Sequence, residues 1–305
     1  MKVIERLFEQ FPTLPERRLG IVAATSKGEL GKWDVGTVCH LENPGIWSGT
    51  VSQCFPLETL TASPNTACAT GLTSLIHASR WIAHGTVDHA LVICSESSFL
   101  PLLTAGYANM GVLCDEDGML PFDSDRTGFA LAEGSAVVYL ATDDVKNKLE
   151  VESRGQILGW METSDAHHIT NMDEEGRVLT RTIQGSVDRA GIARENVDLL
   201  HAHLTTTEMN DRIELNILQS WEPPALLQGI KPALGHTIGA AGLIEAIGTL
   251  DVLRHKEPFP ITHLERQKIP SNLTLAKGWD EPLNYGVTWN SGFGGHNASL
   301  ALRAP

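Results

Sequence analysis

Short apolar runs alternate with amphipathic stretches along most of this chain. Gly20-Ile21-Val22-Ala23-Ala24-Thr25 predicts a compact buried strand that runs into a polar, Gly-bearing loop. From Gly71 to His84, the apolar residues Leu72, Leu75, Ile76 and Ile82 recur at helical spacing and predict a buried helix. Ala90-Leu91-Val92-Ile93-Cys94 reads as a buried strand, residues 99–110 as a helix, and Ser135 to Leu140 as another strand. Further on, Gln156 to Trp160 predicts a strand, Thr180 to Ala190 an amphipathic helix and Val197 to Leu200 a strand. Asn210 to Leu218 follows as a helix, and Thr237 to Leu253 as a long helix rich in Ala and Gly. Two last strands flank Gly292-Phe293-Gly294-Gly295. Residues 1–16 read as a short helix ending near Pro12 and Pro15, while residues 31–64 are spaced by Gly and Pro and show no assignable period.

Strands alternating with helices in both halves predict an α/β architecture with mainly central, buried strands. The charged stretch from Lys146 to Glu152 is the best boundary between halves, giving units 1–150 and 151–305. Gly239-Ala240-Ala241-Gly242 leaves one helix face almost bare, so another backbone is expected to approach it closely.

Composition narrows the function classes. The formal net charge of -14 disfavours nucleic-acid or anionic-membrane binding, and the Arg17-Arg18 pair is too small to offset it. No apolar run approaches the roughly 20 residues that span a bilayer, and Met1 to Arg6 lacks a signal-peptide layout, so the cytoplasm is the expected compartment. Five cysteines, at 39, 54, 68, 94 and 114, form an odd set without a CxxC pair. That argues against a disulfide framework and against a metal site.

Three segments carry candidate chemistry. Cys68 lies in Asn65-Thr66-Ala67-Cys68-Ala69-Thr70-Gly71, at the start of the helix from Gly71. Unpaired N–H groups and the helix dipole favour an anion there, which predicts a stabilised thiolate. A cysteine taken alone is more often a small buried hydrophobe, and Cys39, Cys54, Cys94 and Cys114 are read that way. The strand–Cys–helix setting and two distant histidines favour a nucleophile at Cys68. His203 follows an apolar strand into the loop His203-Leu204-Thr205-Thr206-Thr207, where α/β folds place functional side chains. His201 alternates to the same face, and either histidine alone would read as a core residue. Thr205, Thr206 and Thr207 suit a polar, extended ligand or ordinary loop capping.

His236, in Lys231-Pro232-Ala233-Leu234-Gly235-His236, opens the helix from Thr237, another anion-friendly place. Lys231 and Glu245 are plausible mates, either as a buried pair or as surface charges. The backbone N–H groups of Gly292, Phe293 and Gly294 suit oxyanion donors or a plain turn. Asp123, Asp125, Arg126 and Gly128 read as an internally bonded scaffold loop, without EF-hand spacing. A thiol with two imidazoles is equipment for acyl transfer through a covalent thioester.

In order, these segments resemble the β-ketoacyl-[acyl-carrier-protein] synthases, the condensing enzymes of the thiolase-like fold. Thr66-Ala67-Cys68-Ala69-Thr70-Gly71 resembles that family's nucleophile segment, and Pro121 to Gly134 its characteristic loop and following strand. Asp165 to Thr170, His203 to Glu214, Lys231 to Glu245 and Asn290 to Asn297 follow in the family's order, and the resemblance covers about residues 18–303. There are departures. The family carries a longer N-terminal part with the first strand of the core sheet, so this chain reads as an N-terminally shortened member whose Gly20 to Gly28 resembles the second strand region. The family's His-Gly-Thr is His203-Leu204-Thr205 here, and Ser291 stands where the family has a gating Phe.

The resemblance implies two similar α/β halves with central mixed sheets layered between helices, the first half truncated. It implies decarboxylative Claisen condensation in fatty acid or polyketide-type synthesis. Cys68 would carry the acyl group, and His203 and His236 would stabilise the malonyl enolate. Lys231, paired with Glu245, would orient the His236 loop. Cys68 and the Gly292-Phe293 turn would hold the oxyanion, and Thr205, Thr207 and Thr170 the pantetheine arm. No cofactor would be bound, the phosphopantetheine being carried by the acyl carrier protein. The implied partners are that carrier and either a second copy or a longer ketosynthase. Two other readings stay open: a chain-length-factor-like subunit, and an acyl-Cys enzyme with a different acceptor. Thiolase proper is disfavoured, since no second Cys lies near the C-terminal Gly turn.

Overall fold

The computed structural model describes residues 18–27, 46–53, 59–168, 172–265, 268–276, 279 and 281–305. The expected helix over residues 1–16, Arg17, Cys39, Cys54 and Thr170 lie outside the described residues. β1 (Leu19–Ala24) is buried along its whole length because it has parallel neighbours on both sides. These are β2 (Thr59–Ala62) and β3 (His89–Glu96). β4 (Gly134–Ala141) joins β3 antiparallel, giving the order β2-β1-β3-β4. β2 eluded the sequence because Thr-Leu-Thr-Ala on a half-exposed edge has no continuous apolar run.

The second sheet has six strands. β5 (Gln156–Ser164), β10 (His296–Arg303) and β9 (Tyr285–Gly292) pair antiparallel. β9 then continues in parallel through β6 (Leu199–His201) and β7 (Ala225–Gln228) to β8 (Leu273–Thr274). The order is β5-β10-β9-β6-β7-β8.

The helices in chain order are α1 (Ile46–Ser52), α2 (Thr70–Ala83), α3 (Pro101–Asn109), α4 (Asp143–Leu149), α5 (Arg177–Ala190), α6 (Glu208–Gln219), α7 (Lys231–Leu234) and α8 (Ala241–His255). α4 occupies the charged stretch between the sheets. It has acids in its first turn, bases in its last, and the Thr142 side chain accepting from Val145 N–H as its cap. Among the described residues, no helix is long and apolar enough to cross a membrane.

α2 and α8 share one core with residues of both sheets, among them Val22, Val92, Leu199 and Leu300. The bare face expected on the last long helix is what lets them meet. A Cβ at Gly71 would lie 2.4 Å from Leu243 N, and one at Gly242 would lie 2.8 Å from Leu72 N and 2.3 Å from Asn290 Oδ1. Gly71→Ala must therefore push apart two backbones that carry site residues. The expected cost is at least about 1–3 kcal/mol, measured as a lowered thermal midpoint by circular dichroism. Periodicity placed the start of α8 at Thr237, whereas Ile238–Ala240 forms a 3-10 turn before it. Ile238 has φ 43°, a left-handed conformation that an apolar pattern does not reveal.

Candidate active site

Cys68 sits in the 3-10 turn Ala67–Ala69 that feeds α2, and it is buried. Ala67 before it has φ 50°. The turn is locked by Ala69 N–H donating to Thr66 O (3.1 Å), Thr66 N–H to Thr70 Oγ1 (2.9 Å) and Ala67 N–H to Asn65 Oδ1 (3.3 Å). Gly292 lies against it: a Cβ there would be 2.5 Å from Thr66 O and 3.1 Å from Cys68 N, so only glycine allows this approach.

His203 follows β6 and is held from two sides. Glu214 on α6 accepts the backbone N–H groups of His203 (2.7 Å) and Leu204 (2.9 Å), together with Asn210 Nδ2 (2.8 Å) and Trp289 Nε1 (2.7 Å). These bonds hold Leu204 at φ 46°, a conformation that costs about 1–3 kcal/mol away from glycine. Gly229 makes room for the side chain, since a Cβ there would lie 2.2 Å from Leu204 Cδ1. On the ring, Nδ1 faces two donors, Lys231 Nζ at 3.0 Å and Asn290 Nδ2 at 2.9 Å. Nδ1 is therefore an acceptor, and the ring proton belongs on Nε2. Lys231 also donates to His203 O (2.8 Å) and to Glu245, which accepts Asn290 Nδ2 at 2.6 Å. The ammonium thus works on His203 rather than on the His236 loop, because α7 points it at the end of β6.

His236 is fastened by its backbone to the strand-like segment at Leu131, through His236 N–H to Ala130 O (2.7 Å) and Ala132 N–H to His236 O (3.0 Å). Its Nδ1 accepts from Ile238 N–H at 3.2 Å. The proton is again on Nε2, which has no partner among the described residues. The two imidazoles stand edge to face with centroids 5.7 Å apart, and Phe129 and His236 form a second T-shaped pair with centroids 5.0 Å apart. Burial holds both rings well below the ordinary histidine range, and the Lys231 ammonium pushes the same way. Both are neutral donors at neutral pH.

A cavity of about 420 Å3 joins these groups. Cys68, His203 and His236 line it, with the hydroxyls of Thr205 and Thr207 (Oγ1 atoms 3.2 Å apart) and the Ser291-Gly292-Phe293 turn on the polar side. Met110, Met172, Met209 and Phe129 form the apolar side. Thr206 turns away and donates to Gly128 O in the loop at residues 121–128. Lys231 and Glu245 stand behind His203 and do not line the cavity.

The β-ketoacyl synthase N-terminal domain model matches residues 20–146, and the C-terminal domain model matches residues 154–265. The chain belongs to the β-ketoacyl synthase family. It is 31% identical over 268 residues to 3-oxoacyl-[acyl-carrier-protein] synthase 2 of Rhizobium meliloti (strain 1021), covering 84% of this chain and 63% of that protein, so it spans under two thirds of the relative's length. Among solved structures, the ishigamide ketosynthase/chain length factor is 26% identical with a TM-score of 0.83, covering 96% of this chain and 76% of that one. A type II polyketide acyl-carrier protein in complex with its ketosynthase, AntDE:AntF, is 21% identical with a TM-score of 0.85, covering 99% of this chain and 82% of that one, a likeness of fold alone. The thiolase-like fold expected from the sequence is thereby shown.

For this β-ketoacyl synthase family member the thiolate expectation needs correcting. Burial pushes the Cys68 thiol up to about 11, outweighing the Lys231 and Lys27 ammonium groups that pull it down. The helix start is there, but the sulfur has lost its water. At neutral pH the protonated thiol therefore predominates. Iodoacetamide labelling of Cys68, followed by peptide mass spectrometry, is therefore expected to be slow at pH 7. It should climb about tenfold per pH unit until near pH 11.

Glu214, Asn290 and Glu96 are site-building residues that the sequence reading did not single out. For Glu214 the signal was present, an Asn210–Glu214 pair at i, i+4 just after the His203 loop. The other two act across the fold and leave no local signal. Ser291 donates to Asn297 Oδ1 at 2.7 Å, and Asn297 Nδ2 donates to Asp165, so that position belongs to a polar lock on the glycine turn. The loop at residues 121–128 is internally bonded as expected: Asp123 accepts Asp125 N–H at 3.0 Å, and the Arg126 side chain donates to the Asp123 carbonyl. It is also tied outward by a Lys268–Asp123 ion pair.

Proposed function

We propose that this chain catalyses decarboxylative Claisen condensation between an acyl-Cys68 thioester and malonyl-acyl carrier protein, in fatty acid or polyketide-type synthesis. The observation that carries this reading is the pair of neutral Nε2–H imidazoles, His203 and His236, sharing one cavity with a buried thiol. Cys68 sulfur attacks the carrier's acyl thioester. A new S–C bond forms, the old one breaks, and the pantetheine thiol leaves with the proton. The two histidines donate to the malonyl thioester oxygen while its C–C bond breaks, CO2 departs and the enolate forms. The enolate carbon attacks the acyl-Cys carbonyl, and the Cys68 sulfur leaves and recovers a proton. We assign the oxyanion to the Cys68 N–H and the Gly292-Phe293 turn, a reading supported by their shared place on the cavity wall. Lys231 and Glu245 are positioning residues for His203. Thr205 and Thr207, with Thr170, hold the pantetheine arm, which arrives on the carrier protein, so no cofactor resides on this chain.

The carrier's role is supported by the relative's name and by the AntDE:AntF title, which pairs a ketosynthase with its carrier. We assign residues 1–150 and 151–305 as the two halves, supported by one sheet on each side of α4, and place the protein in the cytoplasm as a homodimer or a heterodimer with a longer ketosynthase. Likeness to a ketosynthase/chain length factor favours one second reading, a chain-length-factor-like subunit. The test gives the purified chain acyl- and malonyl-carrier protein, with products read by mass spectrometry. A β-ketoacyl product from this chain alone supports the first reading. Product only when a longer ketosynthase is added supports the second, and CO2 release without elongation moves the reaction to another acceptor.

A further inference from the structure

Lys231 and Glu245 account for His203, but neither touches His236. A second buried ion pair bonds the backbone turn that follows His236. Lys27, just past β1, sets its Nζ 2.8 Å from Glu96 Oε1 and 3.3 Å from Ser98 Oγ, with both charged side chains almost wholly buried. The other oxygen of Glu96, at the end of β3, accepts Ser26 N–H and Gly239 N–H, each at 3.0 Å. Gly239 is glycine because of this contact: a Cβ there would lie 2.6 Å from Glu96 Oε2 and 2.6 Å from Ser26 N. The residue before it is Ile238, whose N–H donates to His236 Nδ1. Ile238 is β-branched and sits at φ 43°, a conformation that persists only where its surroundings over-determine it.

We propose that Lys27 and Glu96 are positioning residues for His236, the counterpart of Lys231 and Glu245 at His203. Glu96 pins Gly239 N–H and so holds Ile238 in its left-handed conformation. That aims Ile238 N–H at Nδ1 and keeps the His236 proton on Nε2. Lys27 orients Glu96 by donating to its Oε1. Each imidazole thus has its tautomer set by one ammonium–carboxylate pair. Lys231 acts through its own donor, and Lys27–Glu96 acts through one turn of backbone.

The inference deepens the function proposed above and rests on it for the catalytic consequence only; the tautomer is measured without substrate. Lys27→Met alone leaves a buried carboxylate uncompensated and risks unfolding, so the informative variants are Glu96→Gln, the double variant Lys27→Met/Glu96→Gln, and Lys27→Arg. The probe is 15N NMR of histidine-labelled protein, with His236 and His203 assigned by single replacement and folding checked by circular dichroism. Wild type should show an unprotonated Nδ1 at both rings. The folded double variant should show a tautomer mixture at His236 with His203 unchanged, and Lys27→Arg should restore the wild-type signal. An unchanged His236 signal in the folded double variant, or equal disturbance of both histidines, overturns the proposal. In parallel, kcat for CO2 release from malonyl-carrier protein should fall about 10- to 100-fold with KM within about twofold. A wild-type chain that releases no CO2 overturns the functional reading, while the NMR result still decides the role of the pair.

Discussion

Cys68→Ala is expected to abolish acyl-enzyme formation and condensation while sparing CO2 release. In the proposed reaction the thiol carries the acyl chain between the two half-reactions, so its loss would remove the covalent intermediate entirely. Condensation should drop by at least about 10³-fold, the scale seen when a nucleophile is removed from an otherwise intact site. Decarboxylation asks something else of the cavity: two donors on the enolate oxygen. His203 and His236 take their tautomers from Lys231, Asn290 and Ile238, not from sulfur. The check is intact-protein mass after exposure to acyl-carrier protein, with CO2 measured from malonyl-carrier protein in the same preparation. An acyl adduct persisting on the variant would remove Cys68 from the nucleophile's role. Loss of CO2 release in a folded variant would mean that the histidines do not act independently of the thiol.

Lys231→Met should be the most damaging single change to stability. Lys231 and Glu245 are 2% and 1% exposed. Removing the ammonium strips Glu245 of its counter-charge inside a medium that already pushes that carboxyl above its usual range by burial. Breaking such a pair costs about 3–5 kcal/mol, which lowers the thermal midpoint by on the order of 10 °C. His203 loses the donor on Nδ1 and on its carbonyl as well. The double variant Lys231→Met/Glu245→Gln removes both charges and should recover most of the midpoint without recovering CO2 release. Recovery of both would make Lys231 a purely structural residue.

Much of the architecture was legible because it rests on local patterning. Buried strands such as β1 and β3 read as unbroken apolar runs, and α2 showed a helical period, since each segment must present apolar surface to its own neighbours. The Gly239 to Gly242 face announced a close contact because only missing side chains permit one. Legibility failed where the deciding force acts at a distance. β2 is a half-exposed edge, and the start of α8 depends on Ile238 being held left-handed by Glu96, 142 residues earlier in the chain. Lys231 was paired with Glu245 from sequence, yet its main target, His203, depended on how α7 faces β6.

The chain's own order of residues determined which chemical groups are present and which lie at element ends: a thiol before α2, one imidazole past β6, one before α8. Those are consequences of short-range patterning, which a linear reading can follow. Only the tertiary structure decided their states. It buried Cys68 deeply enough to protonate it, where the helix start alone argued for an anion. It made both histidines neutral Nε2–H donors by setting buried partners against their Nδ1 atoms. Desolvation and hydrogen-bond direction depend on what every other segment places around a group, so they come into being only when the chain has folded.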